Sequence, residues 1–581
     1  MQNREIARIL RQTADLLEVA GEDGFRIRSY RRAADVMEEC AQPLAALCAE
    51  PKRLLELPGI GKTMAGHIAE LVATGELALH KEMLARFRPG MLELLQVSGL
   101  GPKTVALIWQ SYGAGTLDEV EALAREGKLR TLPRLGAKAE ENILRGIASL
   151  RQVSGRFRRD QIEEALALFQ PVLETAPGVE RFAAAGSWRR GRDTVGDLDL
   201  LVAGADFPAA GTSAAERFLA VPRIEDVPAR GENKISVRLH GGLQVDLRLL
   251  PLAGWGAALQ YFTGSQQHNI HLRSLAQQRG ARLNEYGLSR ESDAAHLAAA
   301  TEEEVYAALG LDWIPPELRE DSGEIEAAAA HSLPRLIAAG DIRGDLHMHT
   351  TASDGRASIL EMAEAAAARN YGYVAITDHS QALAMANGLD EARMLEHLRR
   401  IRAAEAAFQL SHPGFRIFAG VEVDILADGL LDLADEVLAQ LDVVIGSIHS
   451  RFDQPEAETT ARLLRAVANP HLHILAHPSG RLLLRREAYA CDFERVLEAC
   501  RTAGVAMEIN ASPERMDINA SQARRCRQQG VAVVINTDAH HPRHLDNIRH
   551  GLATARRGWL EASDVLNTLP AEQLRQRLRH A

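Results

Sequence analysis

The stretch Gly186–Val202 constrains this chain more than any other part of it. It reads GSWRRGRDTVGDLDLLV, a basic loop framed by glycines and followed by an apolar strand that carries Asp197 and Asp199. Side chains alternate along a strand, so these two carboxylates share one face and repel each other. Divalent cations would remove the repulsion, while Ser187 and Arg190 could bind anionic oxygens. The stretch therefore predicts a metal-dependent site for a nucleoside triphosphate.

Length and composition limit the classes of protein to consider. At about 100 to 200 residues per domain, 581 residues predict roughly three to five domains. We find no apolar run of membrane-spanning length, no signal peptide and no CxxC pair among the five cysteines, so we expect a cytoplasmic protein. The net charge of −11 does not exclude nucleic acid, because the acidic excess lies mainly after residue 320 and binding depends on local patches.

Residues 1–150 predict helices interrupted by two similar glycine turns, LPGIGKTMA at 57–65 and VSGLGPKTVA at 97–106. A Gly-x-Gly turn that opens a helix presents free backbone N–H groups to a phosphate and contacts DNA without reading bases. A degenerate third copy at 132–139 is equally compatible with a structural turn. The candidate DNA contacts are Gly59, Gly61, Lys62, Gly99, Gly101 and Lys103.

Two segments downstream of Gly186–Val202 extend the predicted site. The strand QVDLRLL at 244–250 carries Asp246, which beside the first two aspartates would complete a two-metal site. The segment YFTGS at 261–265 leads into a helix with Asn269 and Arg273. Its aromatic pair can pack against a base and sugar, and the helix can reach nucleotide and template. Taken alone, the aromatic pair is also compatible with core packing.

Together, these segments resemble the family X DNA polymerases over residues 1–313. The resemblance implies that Asp197, Asp199 and Asp246 are the catalytic metal ligands, with Mg²⁺ or Mn²⁺ as cofactor. It also implies that primed or gapped duplex DNA and deoxynucleoside triphosphates are the substrates. The implied nucleotide-binding residues are Gly186, Ser187, Arg190, Gly196, Tyr261, Phe262, Gly264, Asn269 and Arg273.

The match departs from the family at His67. Lyase-competent members have a lysine here that forms a Schiff base with an abasic sugar, and imidazole cannot form that imine. Lys62 is a nearby amine, but we expect no deoxyribose-phosphate lyase activity.

From Gly344 onward, short apolar strands alternate with amphipathic helices, a pattern typical of a parallel α/β barrel. Imidazoles and carboxylates recur where strands end, which is where a barrel gathers its catalytic groups. One such histidine is as compatible with a structural role, but nine ligand-type residues indicate a centre of two or three ions. Without thiolates, the set suits zinc, manganese or iron.

The same segments (DLHMHTTASDG, TDHS, GVEVDIL, SIHS, AHPSGR and NTDAH) resemble the polymerase and histidinol phosphatase (PHP) domain of bacterial family X polymerases. The resemblance implies a manganese-dependent 3′-5′ exonuclease, with abasic-site or 3′-phosphate cleavage as further reactions. Arg451 and Arg481 are candidate phosphate contacts. The implied metal ligands are His347, His349, Asp354, His379, Glu422, His449, His477, Asp538 and His540.

The chain is therefore predicted to be multidomain, with an all-α helix-hairpin-helix N-terminal region, an α+β nucleotidyltransferase palm with a small thumb, and a C-terminal α/β distorted barrel of PHP type. We expect a monomeric repair polymerase that fills gaps and carries a 3′-5′ exonuclease. Two alternatives stay open: a phosphoesterase tethered to DNA beside a weak or inactive polymerase module, and a scaffold that metals only stabilise. The expected boundaries are 1–85 for the first hairpin domain, 86–150 for a fingers-like domain, 151–260 for the palm, 261–318 for the thumb, 319–343 for a linker and 344–581 for the PHP domain.

Overall fold

The computed structural model describes residues 3–39, 47–48, 51–57, 60–87, 90–95, 97, 100–133, 135–152, 155–452, 454–484, 486 and 488–579. The chain divides into two units, Met1–Gly155 and Arg156–Ala581, each with its own core. No helix of the described residues is long and apolar enough to cross a membrane.

The first unit is helical throughout its described residues. Ile6, Leu10 and Leu17 recur at helical spacing, and all three are buried in its core. The helices are α1 (Asn3–Val19), α2 (Gly24–Glu39), α3 (Pro51–Glu56), α4 (Lys62–Thr74), α5 (Ala78–Arg86), α6 (Met91–Leu94), α7 (Pro102–Tyr112), α8 (Leu117–Arg125) and α9 (Ala137–Gln152).

Helices α4 and α7 begin directly after the two predicted glycine turns. Gly61 and Gly101 precede them with extended backbones, and neither helix start receives a side-chain hydrogen bond from its cap. The first N–H groups of both helices are therefore available to a phosphate, and Lys62 and Lys103 are exposed beside them. The predicted contacts Gly59 and Gly99 lie outside the described residues.

The second unit begins with a five-stranded sheet where the palm is predicted. Its strands lie in the order β2 (Arg181–Ala184), β4 (Asp197–Gly204), β7 (Gln244–Pro251), β6 (Lys234–Leu239) and β5 (Ile224–Arg230). Strands β4 and β7 are parallel neighbours, and this pairing sets Asp199 directly opposite Asp246. The elements of this region are β1 (Phe157–Arg158), α10 (Arg159–Glu174), β2 (Arg181–Ala184), α11 (Gly186–Arg189), β3 (Thr194–Val195), β4 (Asp197–Gly204), α12 (Phe207–Leu219), β5 (Ile224–Arg230), β6 (Lys234–Leu239) and β7 (Gln244–Pro251).

The thumb region follows as two helices, a small antiparallel sheet and a third helix. Ser265 caps the second helix through its hydroxyl, which accepts a hydrogen bond from the His268 N–H group. The elements are α13 (Trp255–Thr263), α14 (Gln266–Gln278), β8 (Ala281–Asn284), β9 (Gly287–Arg290), β10 (His296–Ala298) and α15 (Glu302–Ala308).

The segment 319–343, expected to be a linker, is packed into this unit. Arg319 is fully buried and its guanidinium binds the carboxylate of Glu302. Helix α16 (Glu324–Ala329) follows, and Glu324 accepts a hydrogen bond from His268 inside the thumb. The segment thus shares the thumb's core instead of forming an extended connection.

The predicted parallel barrel is confirmed. Seven strands run in sequence order, and a parallel bridge between Met348 and Ala539 joins the residues that follow the first and the last strand. The strands are β11 (Gly344–Asp345), β12 (Tyr373–Ile376), β13 (Arg416–Asp424), β14 (Val443–Ser447), β15 (Ile474–Leu475), β16 (Ala506–Asn510) and β17 (Val533–Asn536).

Helices alternate with these strands and cover the barrel. They are α17 (Ile359–Ala367), α18 (Glu391–Phe408), α19 (Asp435–Leu438), α20 (Glu456–Val467), α21 (Phe493–Ala503), α22 (Ala520–Gln529), α23 (Ile548–Arg557) and α24 (Ala571–Arg579).

Candidate active sites

The palm brings its three aspartates together at one end of β4 and β7. Asp197, Asp199 and Asp246 each offer a carboxylate oxygen, and these oxygens lie within 4.8 Å of one another. Two further side chains contact Asp246: the ammonium of Lys234 lies 2.5 Å from one carboxylate oxygen, and the Gln244 amide donates to the other. The structure thus assembles the predicted triad and adds Lys234, which the sequence pattern did not single out.

Charge repulsion within this carboxylate triad affects the pKa of Asp199. Burial, together with the charges of Asp197 and Asp246, raises the pKa of Asp199 from 3.8 to about 7. Without a cation nearby, this group of oxygen ligands resists ionisation. The charge of a divalent ion would favour the carboxylate form, so the group is suited to binding such ions. The three residues therefore fit the predicted metal site.

The loop ahead of β4 approaches the triad through Gly186. Its φ of 59° is left-handed, and a Cβ at this position would lie 2.3 Å from an Asp199 carboxylate oxygen. Only glycine allows so close an approach, so the loop carrying Ser187 is fixed against the triad. Gly196, between β3 and β4, joins the two strands at the other end of this loop.

The side chains of two consecutive arginines in this loop bind residues of the thumb and of the segment after it. Arg189 binds the Glu302 carboxylate through both terminal nitrogens. Arg190 donates from Nη1 to the Thr263 carbonyl and from Nε to Glu320, 3.2 Å away. The structure therefore sets Arg190, a predicted triphosphate contact, against the YFTGS segment.

The remaining predicted nucleotide contacts converge on the same turn. Asn269 donates to the Tyr261 carbonyl at 2.7 Å, and Arg273 donates from Nε to the Asn269 carbonyl at 3.3 Å. The rings of Tyr261 and Phe262 meet edge to face, 5.1 Å apart. A Cβ on Gly264 would lie 3.2 Å from Arg190 Nη1, so the absence of a side chain leaves room for the guanidinium.

The barrel gathers all nine predicted ligands at the carboxyl ends of its strands. Glu422 on β13 lies at the centre: His477 Nε2 is 2.8 Å away, and His379 Nδ1 is 2.9 Å away. Asp538 approaches from β17, 3.2 Å from His349 Nε2. Three overlapping groups of potential ligands, each with its atoms within 4.8 Å, are His349–Asp354–His379–His540, His347–His349–Glu422 and His379–Glu422–His449.

The histidines of this cluster differ in protonation. Although burial opposes the charged form, Asp354 and Asp538 raise the pKa of His540 to about 9, and Glu508 and Glu422 raise the pKa of His347. Although burial opposes ionisation, neighbouring histidines hold the pKa values of Glu422 and Asp538 well below their usual range. Burial and the neighbours His379 and His540 lower the pKa of His349 to about 4, which favours neutral imidazole. Both nitrogens of His349 and Nε2 of His347 are buried without a hydrogen-bond partner. Such orphaned donors around ionised carboxylates fit a centre of several divalent ions.

Buried carboxylates that the sequence pattern does not single out orient several of these ligands. Glu508 on β16 accepts from His347 Nδ1 at 2.7 Å, and Asp424 lies 3.3 Å from His449 Nδ1. A carboxylate inside the apolar strand AMEIN was the available signal for Glu508, as it was for Asp246. These contacts fix the ring orientation of a ligand histidine and increase its basicity.

The two arginines considered as phosphate contacts differ in setting. Arg451 is exposed. Arg481 is buried, with its guanidinium bound to the carbonyls of Arg515 and Met516 and to the Asp193 carboxylate of the palm loop. Arg515, which the sequence did not single out, reaches toward the imidazole cluster, with Nε 3.6 Å from Asp538.

Comparison with known families matches four parts of the chain. Residues 1–77 match a helix-hairpin-helix domain, residues 91–149 a SAM-like helix-hairpin-helix tandem, residues 258–320 the DNA polymerase beta thumb and residues 345–512 the PHP domain.

Individual relatives extend this similarity. The DNA polymerase/3′-5′ exonuclease PolX of Bacillus subtilis (strain 168) is 38% identical over 98% of this chain and 97% of its own length. DNA polymerase lambda of Arabidopsis thaliana is 29% identical over 55% of this chain and 62% of its own. A probable phosphatase of Acetivibrio thermocellus is 31% identical over 34% of this chain and 78% of its own.

Proposed function

Because the chain belongs to the family X DNA polymerases that carry a PHP domain, we propose that it fills gaps in DNA by template-directed nucleotidyl transfer and trims 3′ ends as a 3′-5′ exonuclease. The observation that carries the proposal is the presence of two separate ligand clusters in one folded unit. One is an all-carboxylate triad beside a basic loop, and the other is a buried cluster of imidazoles and carboxylates.

In the polymerase reaction, Asp197, Asp199 and Asp246 would hold the ions. Divalent ions bound at either site would supply charge neutralisation and activation of the attacking oxygen. Ser187 and Arg190 would bind the triphosphate, so that negative charge on the leaving pyrophosphate is met by donors already in place. The edge-to-face aromatic pair Tyr261–Phe262 would face the incoming sugar and base.

The helix α14 would complete the nucleotide pocket from the other side. The Asn269 amide donates to the Tyr261 carbonyl and accepts from the Gln260 amide, and these two bonds fix its side chain. Arg273 lies one turn further along the same helix. We assign Asn269 to the nucleotide and Arg273 to the template side.

In the exonuclease reaction, the nine residues of the imidazole cluster would hold two or three ions. Glu508 and Asp424 would keep their histidine partners in the orientation that binds metal. Arg515 is the cation beside Asp538 and would approach a phosphate held at this centre. Zinc, manganese and iron all suit this donor set.

The first unit would hold the DNA backbone through the helix starts after Gly61 and Gly101. With His67 at the lysine position, we propose that it binds DNA without lyase chemistry. We further propose that the chain acts as a monomer in the cytoplasm.

One gapped duplex with labelled 3′ and 5′ ends tests the two functions together. We expect His347→Ala to abolish shortening of the primer and leave extension unchanged, because His347 belongs only to the imidazole cluster. His331→Ala, at an exposed histidine outside the cluster, serves as the matched control. Retained shortening in His347→Ala would contradict the nuclease assignment, and absent extension in the wild type would favour the tethered phosphoesterase.

A further inference from the structure

The segment 319–343, predicted to be a linker, supplies a carboxylate to the predicted triphosphate loop. Glu320 accepts a hydrogen bond from Arg190 Nε at 3.2 Å. Only 13% of the Arg190 side chain and 21% of the Glu320 side chain are exposed. No function assigned above uses this carboxylate.

Glu320 is itself held firmly in place. The carbonyl of the preceding residue, Arg319, accepts a hydrogen bond from the Ser265 N–H group at 3.0 Å, next to the Gly264 turn. The Arg319 side chain is fully buried and bound to Glu302. Glu320 is therefore anchored to the same turn over which the Arg190 guanidinium passes.

Further arginines surround this carboxylate. Arg192 Nη1 and Arg557 Nη2 each lie 3.6 Å from a Glu320 oxygen, and Arg557 also reaches Asp193. Although burial opposes ionisation, these arginines lower the pKa of Glu320. The charge of Glu320 is thus neutralised locally, so it does not present a free negative charge to an approaching triphosphate.

Two N–H groups of Arg190 bind acceptors of the protein, and the others are available to a triphosphate. A guanidinium has five N–H donors in a fixed plane. Glu320 takes the one on Nε and the Thr263 carbonyl takes one on Nη1, which leaves three on the terminal nitrogens. Holding the plane at two points orients those three before a ligand arrives and reduces the rotamer freedom lost on binding.

We infer that Glu320 is a positioning residue for the polymerase reaction, which orients Arg190 toward the triphosphate of the incoming nucleotide. The inference rests on the proposed function, because Arg190 is assigned to the triphosphate there. It adds a residue from outside the palm to the nucleotide site and predicts that its effect is on nucleotide binding.

Steady-state gap filling by the full chain tests the inference. We expect Glu320→Ala to raise the KM for the deoxynucleoside triphosphate about tenfold, because an Arg190 that is no longer oriented would lose about one charge-assisted hydrogen bond to the triphosphate. The kcat should change less than about twofold. Glu320→Gln keeps one acceptor oxygen and should give an intermediate KM. Glu317→Ala is the matched control: its carboxylate is similarly buried and pairs with Arg556 instead of Arg190.

A double variant separates positioning from a direct effect. If Glu320 acts through Arg190, adding Glu320→Ala to Arg190→Ala should raise KM no further. Additive effects, a lower KM in Glu320→Ala, or a fall in kcat at unchanged KM would each overturn the inference. Failure of the wild type to extend a primer would instead refute the proposed function, so the two failures are distinguishable.

Discussion

Replacing Asp199 with asparagine should stabilise the metal-free protein in a pH-dependent way. The pKa of Asp199 is about 7 in the folded chain and 3.8 ordinarily, so between these values the folded state keeps a proton that the unfolded state has lost. Stability therefore falls as pH rises through this window. A pKa difference of roughly 3 units lowers the free energy of unfolding by at most about 4 kcal/mol, and by about 1–2 kcal/mol after allowing for partial solvent access. Asparagine cannot ionise and avoids this penalty.

Thermal melting in the presence of a chelator measures the effect. At pH 8 we expect Asp199→Asn to melt higher than the wild type by about 1–4 °C. At pH 5, where less than half of the window from 3.8 to about 7 has been crossed, the difference should be less than half as large. Adding Mg²⁺ at pH 8 should raise the melting temperature of the wild type more than that of the variant, because binding to the folded state stabilises it. Asp206→Asn, at an exposed carboxylate just after β4, should behave as the wild type at both pH values.

The same variant links stability to function, because it should fail to extend a gapped primer. A variant that melts at or below the wild type at pH 8 would show that Asp199 is already ionised without metal. In that case Lys234, not protonation, would relieve the repulsion within the triad. A variant that extends primers at the wild-type rate would remove Asp199 from the catalytic site.

Three further changes test contacts around the sites. Glu508→Gln keeps the shape of the His347 partner but removes its charge. We expect the metal affinity of the imidazole cluster, measured by calorimetry, to fall about 10-fold or more. Unchanged affinity would contradict the orienting role of Glu508. Lys234→Gln removes the ammonium beside Asp246, and the Mg²⁺ concentration for half-maximal extension should decrease; an increase would mean that Lys234 supports the metal site. His67→Lys introduces an amine at the half-buried position next to Tyr30. Borohydride should then trap an adduct between this variant and abasic DNA that the wild type does not form. Equal trapping by both proteins would indicate that Lys62 forms the adduct.

Local patterns in the sequence predicted both clusters because their geometry follows from strand alternation. The spacing of Asp197 and Asp199 places them on one face of β4, and the repeated imidazoles at strand ends meet because parallel strands in a barrel end at one rim. The alternation of apolar strands and amphipathic helices predicted the barrel for the same reason. In each case the signal lies within a few residues.

The packing of the segment 319–343 could not be predicted from such local patterns. The prolines at 315 and 316 ahead of it, its glycine frame and its alanine-rich composition are typical of a connection, whereas its charged residues pair with partners distant in sequence. Glu320 meets Arg190, and Glu324 meets His268. Nothing in the spacing of one segment shows which distant charge it will face. The same limit explains why Lys234 was missed, since its role depends on Asp246 of the neighbouring strand.

The two clusters differ in donors and burial, which predicts different responses to metal removal. The triad offers only oxygens and includes the exposed Asp197, a setting in which Mg²⁺ binds loosely and is completed by substrate phosphates. The second cluster offers buried imidazoles around Glu422, a setting for zinc, manganese or iron. After chelator dialysis, Mg²⁺ alone should therefore restore extension but not 3′-end shortening, and Mn²⁺ should restore both. Full recovery of both reactions with Mg²⁺ would show that imidazole donors do not select the ion at the second site.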